Sequence, residues 1–131
     1  MKKVEILIVI DAAGALASSN LANNVYLIDT SKYFGSWNEG QCELHTVCQD
    51  EQNICWRVVP ISEDNDVSIT QFTGQIITQK ICQPVQVGTS SDAMWEGRVE
   101  TQGSTGTYQY SVVLTIDGKS MTFDPFLVVQ K

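Results

Sequence analysis

The sequence predicts an all-β fold, a two-sheet antiparallel β-sandwich of jelly-roll type with at most one or two short helical turns. Three observations carry this. Short apolar or alternating runs are separated by turn residues about every ten positions, the spacing of a sandwich or barrel. One run, Tyr108 to Ile116, sets Tyr108, Tyr110, Val112, Leu114 and Ile116 two residues apart, the period of a strand. It leads directly into Asp117-Gly118, a strong two-residue hairpin signal.

In chain order, Val4 to Ile10 is almost continuously apolar and β-branched, which predicts a strand covered on both faces. Met1-Lys2-Lys3 ahead of it gives the segment a superficial likeness to a secretion signal, but Glu5 and Asp11 bracket a core too short for one. Asp11 ends the strand, and Ala12 to Asn24 reads as a helical turn or loop before a strand at Val25 to Ile28. Asp29 to Gly40 is rich in turn formers. Strands are expected at Glu43 to Val47 and Ile54 to Val59, the latter closed by Pro60, which gives a ladder no donor. Val67 and Ile69, alternating with Ser68 and Thr70, predict another, and Ile76 to Cys82 is a further strand candidate.

A two-residue turn at Asp117-Gly118 pairs Ile116 with Lys119, Leu114 with Met121 and Val112 with Phe123. Leu114, Met121, Val112 and Phe123 then share one face, while Val113, Thr115, Ser120 and Thr122 share the other, and a slip of one residue would destroy the match. Pro125 should break the ladder before a last strand from Phe126 to Val129.

At 131 residues the chain suits a single domain over 1–131, long enough to bury roughly two-thirds of its unfolded surface. With 43% apolar and 18% charged residues, it has the composition of strands with one wet face. The formal charge of −7 disfavours nucleic acid and anionic membrane as partners, since both reward positive charge. No segment approaches the roughly 18 apolar residues of a membrane helix. The expected setting is cytoplasmic, with no cofactor.

Catalytic and metal chemistry finds little purchase. Cys42, Cys48, Cys55 and Cys82 form no close pair of zinc ligands and read as free, reduced, partly buried thiols. His45 is the sole histidine, and it lies three residues from both Cys42 and Cys48, on the opposite face of any regular strand. Glu39, Glu43, Glu96 and Glu100 could pair as glycosidase carboxylates, but an acidic chain supplies such residues anyway. Glu63-Asp64-Asn65-Asp66 lacks the glycine and closing glutamate of a calcium loop. Glycine-rich phosphate and nucleophile motifs are missing from the sequence. The chain is therefore not expected to be an enzyme.

Trp37-Asn38-Glu39 and Trp95-Glu96 combine a ring face with planar polar groups in expected loops. Trp37, Asn38, Glu39 and Trp95 are the candidate ligand-binding residues, for a glycan, of a carbohydrate-binding module. The same tryptophans also read as core or interface anchors.

Ile8-Val9-Ile10-Asp11, Cys55-Trp56-Arg57-Val58 and Phe123-Asp124-Pro125-Phe126 occur in an order and spacing that resembles the AidA/PixA inclusion-body family of bacteria. The resemblance spans nearly the whole chain. It implies a small β protein with no known catalytic residues, in some members under quorum-sensing control, linked to host association or virulence, or stored as intracellular inclusions. Two departures stand out: only three methionines, where the inclusion proteins are methionine-rich, and four cysteines outside the shared motifs. Of the matched residues, Asp11 is expected to cap a turn, Arg57 to pair with a carboxylate such as Asp124, and Pro125 to set the bend after the hairpin. Exposed sheet edges and apolar termini lead to the expectation of a homodimer.

Overall fold

The computed structural model describes residues 2–31, 36, 42–62, 64–88 and 94–130. In order, the described elements are β1 (Val4–Ile10), α1 (Ala12–Ser18), a 3-10 turn (Ala22–Asn24), β2 (Val25–Asp29), β3 (His45–Gln49), β4 (Asn53–Pro60) and β5 (Val67–Gly74). They continue with α2 (Gln75–Thr78), β6 (Val85–Val87), β7 (Met94–Arg98), β8 (Gly106–Ile116), β9 (Lys119–Phe123) and β10 (Phe126–Gln130). The strands form two packed sheets, one ordered β2-β1-β4-β7-β6 and the other β3-β10-β8-β5, with β9 also paired to β8.

The two-sheet all-β sandwich is the expected fold, but the sheets are mixed rather than purely antiparallel. β1 runs parallel to β4, from Val4↔Ile54 to Ile10↔Pro60, and β10 runs parallel to β3. Parallel neighbours need a long crossover, and the chain supplies one by sending β3 to the second sheet before β4 returns to the first.

The terminal hairpin has the register read from the sequence, with Ile116↔Lys119, Leu114↔Met121 and Val112↔Phe123. Asp117 (φ 47°) and Gly118 (φ 86°) are both left-handed, as the tight primed turn requires. β8 carries β9 beside its second half and β10 beside its first, and Pro125 sits at the junction, its carbonyl accepting from Tyr110 N at 3.0 Å. Asp11 caps α1 by accepting from Gly14 N at 3.0 Å.

Two element assignments also need correction. Ile76 to Cys82 is not a strand: α2 starts there, Ile76 is fully buried, and Ile76 O accepts from both Ile81 N and Cys82 N at 2.9 and 3.1 Å. A short apolar run does not distinguish strand from buried helical turn by period. Gly74 (φ 96°) decides the matter by turning the chain out of the sheet where a Cβ would lie 2.8 Å from Tyr110 Cα. Trp95-Glu96, expected in a loop, belongs to β7, whose sequence Met-Trp-Glu-Gly-Arg has no β-branched residue to mark it. In β5 a register shift between Ile69 and Gln71 adds one residue, so Val67, Ile69 and Phe72 all reach the core although simple alternation would expose Phe72.

The core joins the sheets through an aromatic group. Trp56 on β4 donates its indole N–H to the Tyr110 hydroxyl on β8 at 3.1 Å, and both side chains are wholly buried. The Phe72 ring lies 4.9 Å from Trp56 and 6.2 Å from Tyr110. A second tie links the edge strands: Asp29 on β2 accepts from Thr46 Oγ1 on β3 at 2.7 Å and from Ser31 N at 2.9 Å, and all three residues are buried. The outer faces differ in character. That of the second sheet presents Ser68, Thr70, Thr115, Ser120 and Thr122, whereas that of the first presents Leu7, Val9, Tyr26, Ile28 and Val59. β1 is therefore buried through Val4, Ile6, Ile8 and Ile10 but not covered on its other face, where Leu7 and Val9 are half-buried.

Tyr110→Phe removes the acceptor while keeping the ring, leaving a buried indole N–H unpaired. We expect a loss of about 1–3 kcal/mol in urea unfolding at an unchanged m-value. A neutral result would mean that Trp56 finds another partner. A second expectation concerns Asp117, whose carboxylate accepts from Asp66 N at 2.7 Å and from Asn65 Nδ2 at 2.8 Å. These bonds, the backbone one first, hold its carboxyl below the ordinary 3.8. A carboxyl held low in the folded state stabilises the fold above the unfolded value, and that contribution disappears as the pH falls through the folded value. Asp117→Asn should therefore lower Tm at neutral pH, with the gap from wild type narrowing below about pH 4. A gap that is constant with pH would exclude the charged form as its source.

Candidate functional site

Two concave regions lie on or beside the first sheet. The larger, about 480 Å³, is lined by Asn53, Lys80, Cys82, Glu96, Arg98 and Glu100 among others. β4 and β7 set its floor by pairing Asn53 with Arg98 and Cys55 with Glu96. Gly97 allows the adjoining segment to lie against β7, since a Cβ there would be 2.6 Å from Cys82 Sγ and 3.2 Å from Pro84 Cα. The charges are balanced and partly matched. Lys3 pairs with Glu96, an interaction that raises the Lys3 pKa, and Arg98 lies 3.6 Å from Glu51. A groove with both signs of charge attracts neither polyanions nor polycations.

Its one thiol is chemically quiet. Burial pushes Cys82 up to about 12, so it is protonated at neutral pH. Cys48 on β3 is likewise pushed up to about 12 by burial, and desolvation also raises Cys42 and Cys55. The Cys55 thiol contacts Met94 Sδ at 3.2 Å. His45 stacks on Phe126 with ring centroids 4.2 Å apart, and its Nδ1 is 2.8 Å from the Glu43 carbonyl, while Cys48 points into the core. Among the described residues no group of three or more His, Cys, Asp or Glu side chains could hold a metal ion, and no helix is long and apolar enough to cross a membrane.

The smaller cleft, about 270 Å³, is lined by Glu5, Leu7, Ile28, Asp29, Thr30 and Arg57. Arg57 does not meet Asp124 as expected: the two belong to opposite sheets, and Asp124 accepts from Ser111 Oγ at 2.6 Å. A motif shared along the sequence need not converge in space.

Of the sequence-derived ligand residues, Trp37, Asn38 and Glu39 lie outside the described residues. Trp95 is half-buried in β7, paired with Trp56 across the strands and 5.4 Å from the Phe72 ring, at the margin of the core. Glu63 of the acidic run is also outside the described residues, and Asn65 and Asp66 are tied to Asp117. The groove residues Lys80, Arg98 and Asn53 escaped sequence reasoning. The available signal was Gly97 set between two charged residues, which marks a close backbone approach in a strand.

Residues 2–122 match the family described as a domain of unknown function, DUF8788. The chain belongs to this family. No curated protein matches the DUF8788 chain by sequence. Among solved structures it is similar to the inclusion body protein PixA from Burkholderia cenocepacia, with a TM-score of 0.71 and 12% identity over 98% of this chain and 96% of that one. At that identity the likeness is one of fold, and it agrees with the AidA/PixA resemblance read from the sequence motifs.

The thiol environments can be tested by alkylation. Iodoacetamide should modify the half-buried Cys42 first, and Cys48 and Cys82 only once the chain unfolds, as followed by peptide mass spectrometry. Rapid native labelling of Cys82 would show that the groove opens to its thiol.

Proposed function

We propose that this DUF8788 protein is a non-enzymatic, self-associating protein of the inclusion-body type, working in the bacterial cytoplasm in host association and produced under quorum-sensing control. The observation that carries this reading is the PixA-like fold over almost the full length of both chains. The chemistry supports it. The buried thiols are protonated, His45 is stacked on Phe126, and the charged groups of the groove are balanced rather than arranged as an acid and a base. With only three methionines, the protein acts through its surfaces rather than as a store of sulfur.

Sedimentation velocity of the purified chain across a wide concentration range tests the proposal. We expect reversible, concentration-dependent assembly, and a chain that stays monomeric throughout would overturn it. A glycan array run alongside, with Trp37→Ala as control, should show no binding. A Trp37-dependent signal would transfer the function to the carbohydrate-binding reading.

A further inference from the structure

We infer that the outer face of strands β2, β1 and β4 is the surface through which two copies of this chain associate. The inference rests on the self-association proposed above and assigns it to a face rather than to sheet edges. The register lines the side chains up in rows. Val9 stands between Tyr26 and Val59, and Leu7 stands between Ile28 and Arg57. Tyr26, Ile28 and Val59 are 46%, 41% and 45% exposed, and Ile61, just beyond β4, is 64% exposed. Isolated apolar side chains are ordinary on a surface, but contiguous rows across three strands are a contact surface. The opposite face of the sandwich carries mostly serine and threonine, with Val113 half-buried among them.

Self-recognition follows from the charges. At one end of the patch lie Glu5, two residues before Leu7 on β1, and Arg57, beside Leu7 on β4, both exposed, and neither forms an ion pair among the described residues. A two-fold interface repeats each contact, so one acid and one cation on the same patch can neutralise each other across two copies. A uniformly acidic, basic or apolar partner would leave at least one of them unmatched. The size suits a weak, reversible association. Three strands about 4.8 Å apart and about 20 Å long give a projected footprint on the order of 300 Å². That is below the roughly 800 Å² per partner of a stable specific complex.

The test is sedimentation of the full chain and four variants, each checked for native Trp fluorescence and Tm. Ile28→Lys and Arg57→Glu should each weaken association by about a hundredfold. The double variant Glu5→Arg with Arg57→Glu should recover most of it, because the pair is restored in reverse. Thr115→Lys on the polar face should change nothing. If wild type assembles but Ile28→Lys and Arg57→Glu assemble equally well, the face is wrong while self-association stands. If the charge-reversed double variant stays as weak as Arg57→Glu, a second copy does not pair Glu5 with Arg57 and the assignment fails. A monomeric wild type overturns both this inference and the reading on which it rests.

Discussion

The hydrogen bond from the Trp56 indole to the Tyr110 hydroxyl fixes the centre of a sandwich whose two sheets are joined largely by apolar packing. Apolar packing is non-directional, so it favours closure without choosing a register. A buried donor with one suitably placed acceptor does choose, because sliding β4 past β8 would leave both polar atoms unpaired in a medium without water. Phe72 packs against both rings of that pair and Trp95 against Phe72, and β7 is placed through its pairing with β4. The groove beside β7 therefore inherits its position from the core. Asp29 and Thr46 play the same part where β2 faces β3.

How much of this could be read from the chain depends on whether the information is local. The hairpin at Asp117-Gly118 is local: a turn type fixes a register, and the register fixes which of Leu114 and Thr115 faces inward. β1 was visible as a run of β-branched residues, and the cap at Asp11 needed only its own neighbours. The parallel pairings of β1 with β4 and of β10 with β3 were not visible, since nothing in either strand names a partner so far along the chain. α2 was missed because Ile76, Ile77 and Ile81 satisfy a strand pattern as well as a buried turn, and the choice is made by the approach of Gly74 to Tyr110. The candidate site fared worst. Trp95 looked like a ring for a ligand and is a margin of the core, while Lys80 and Arg98 come to line one groove because Gly97 lets the segment around Cys82 and Pro84 close over β7.

The charge distribution agrees with a protein that acts by contact. Several of its acidic residues are engaged in backbone work: Asp50 accepts from Thr101 N and Gly103 N, which holds its carboxyl below the ordinary range, and Asp117 does the same for the loop at Asn65 and Asp66. Such carboxylates order loops without offering a reactive group. What remains for recognition is the contrast between a hydroxyl-rich face and an aliphatic one, a contrast that no single strand shows.

The place of β10 has a consequence for how the fold is reached. It is the latest of the described strands to be made, yet it lies inside its sheet, parallel to β3 on one side and antiparallel to β8 on the other. Until it is inserted, β3 has no partner in the second sheet, and the slot beside the first half of β8 is an open ladder. A nascent chain therefore carries β3 unpaired for most of its synthesis, joined near the end by the open edge of β8, which is the state in which chains pair with one another instead of with themselves. The same connectivity that makes the finished sandwich hard to unzip from its end makes the unfinished one prone to aggregate.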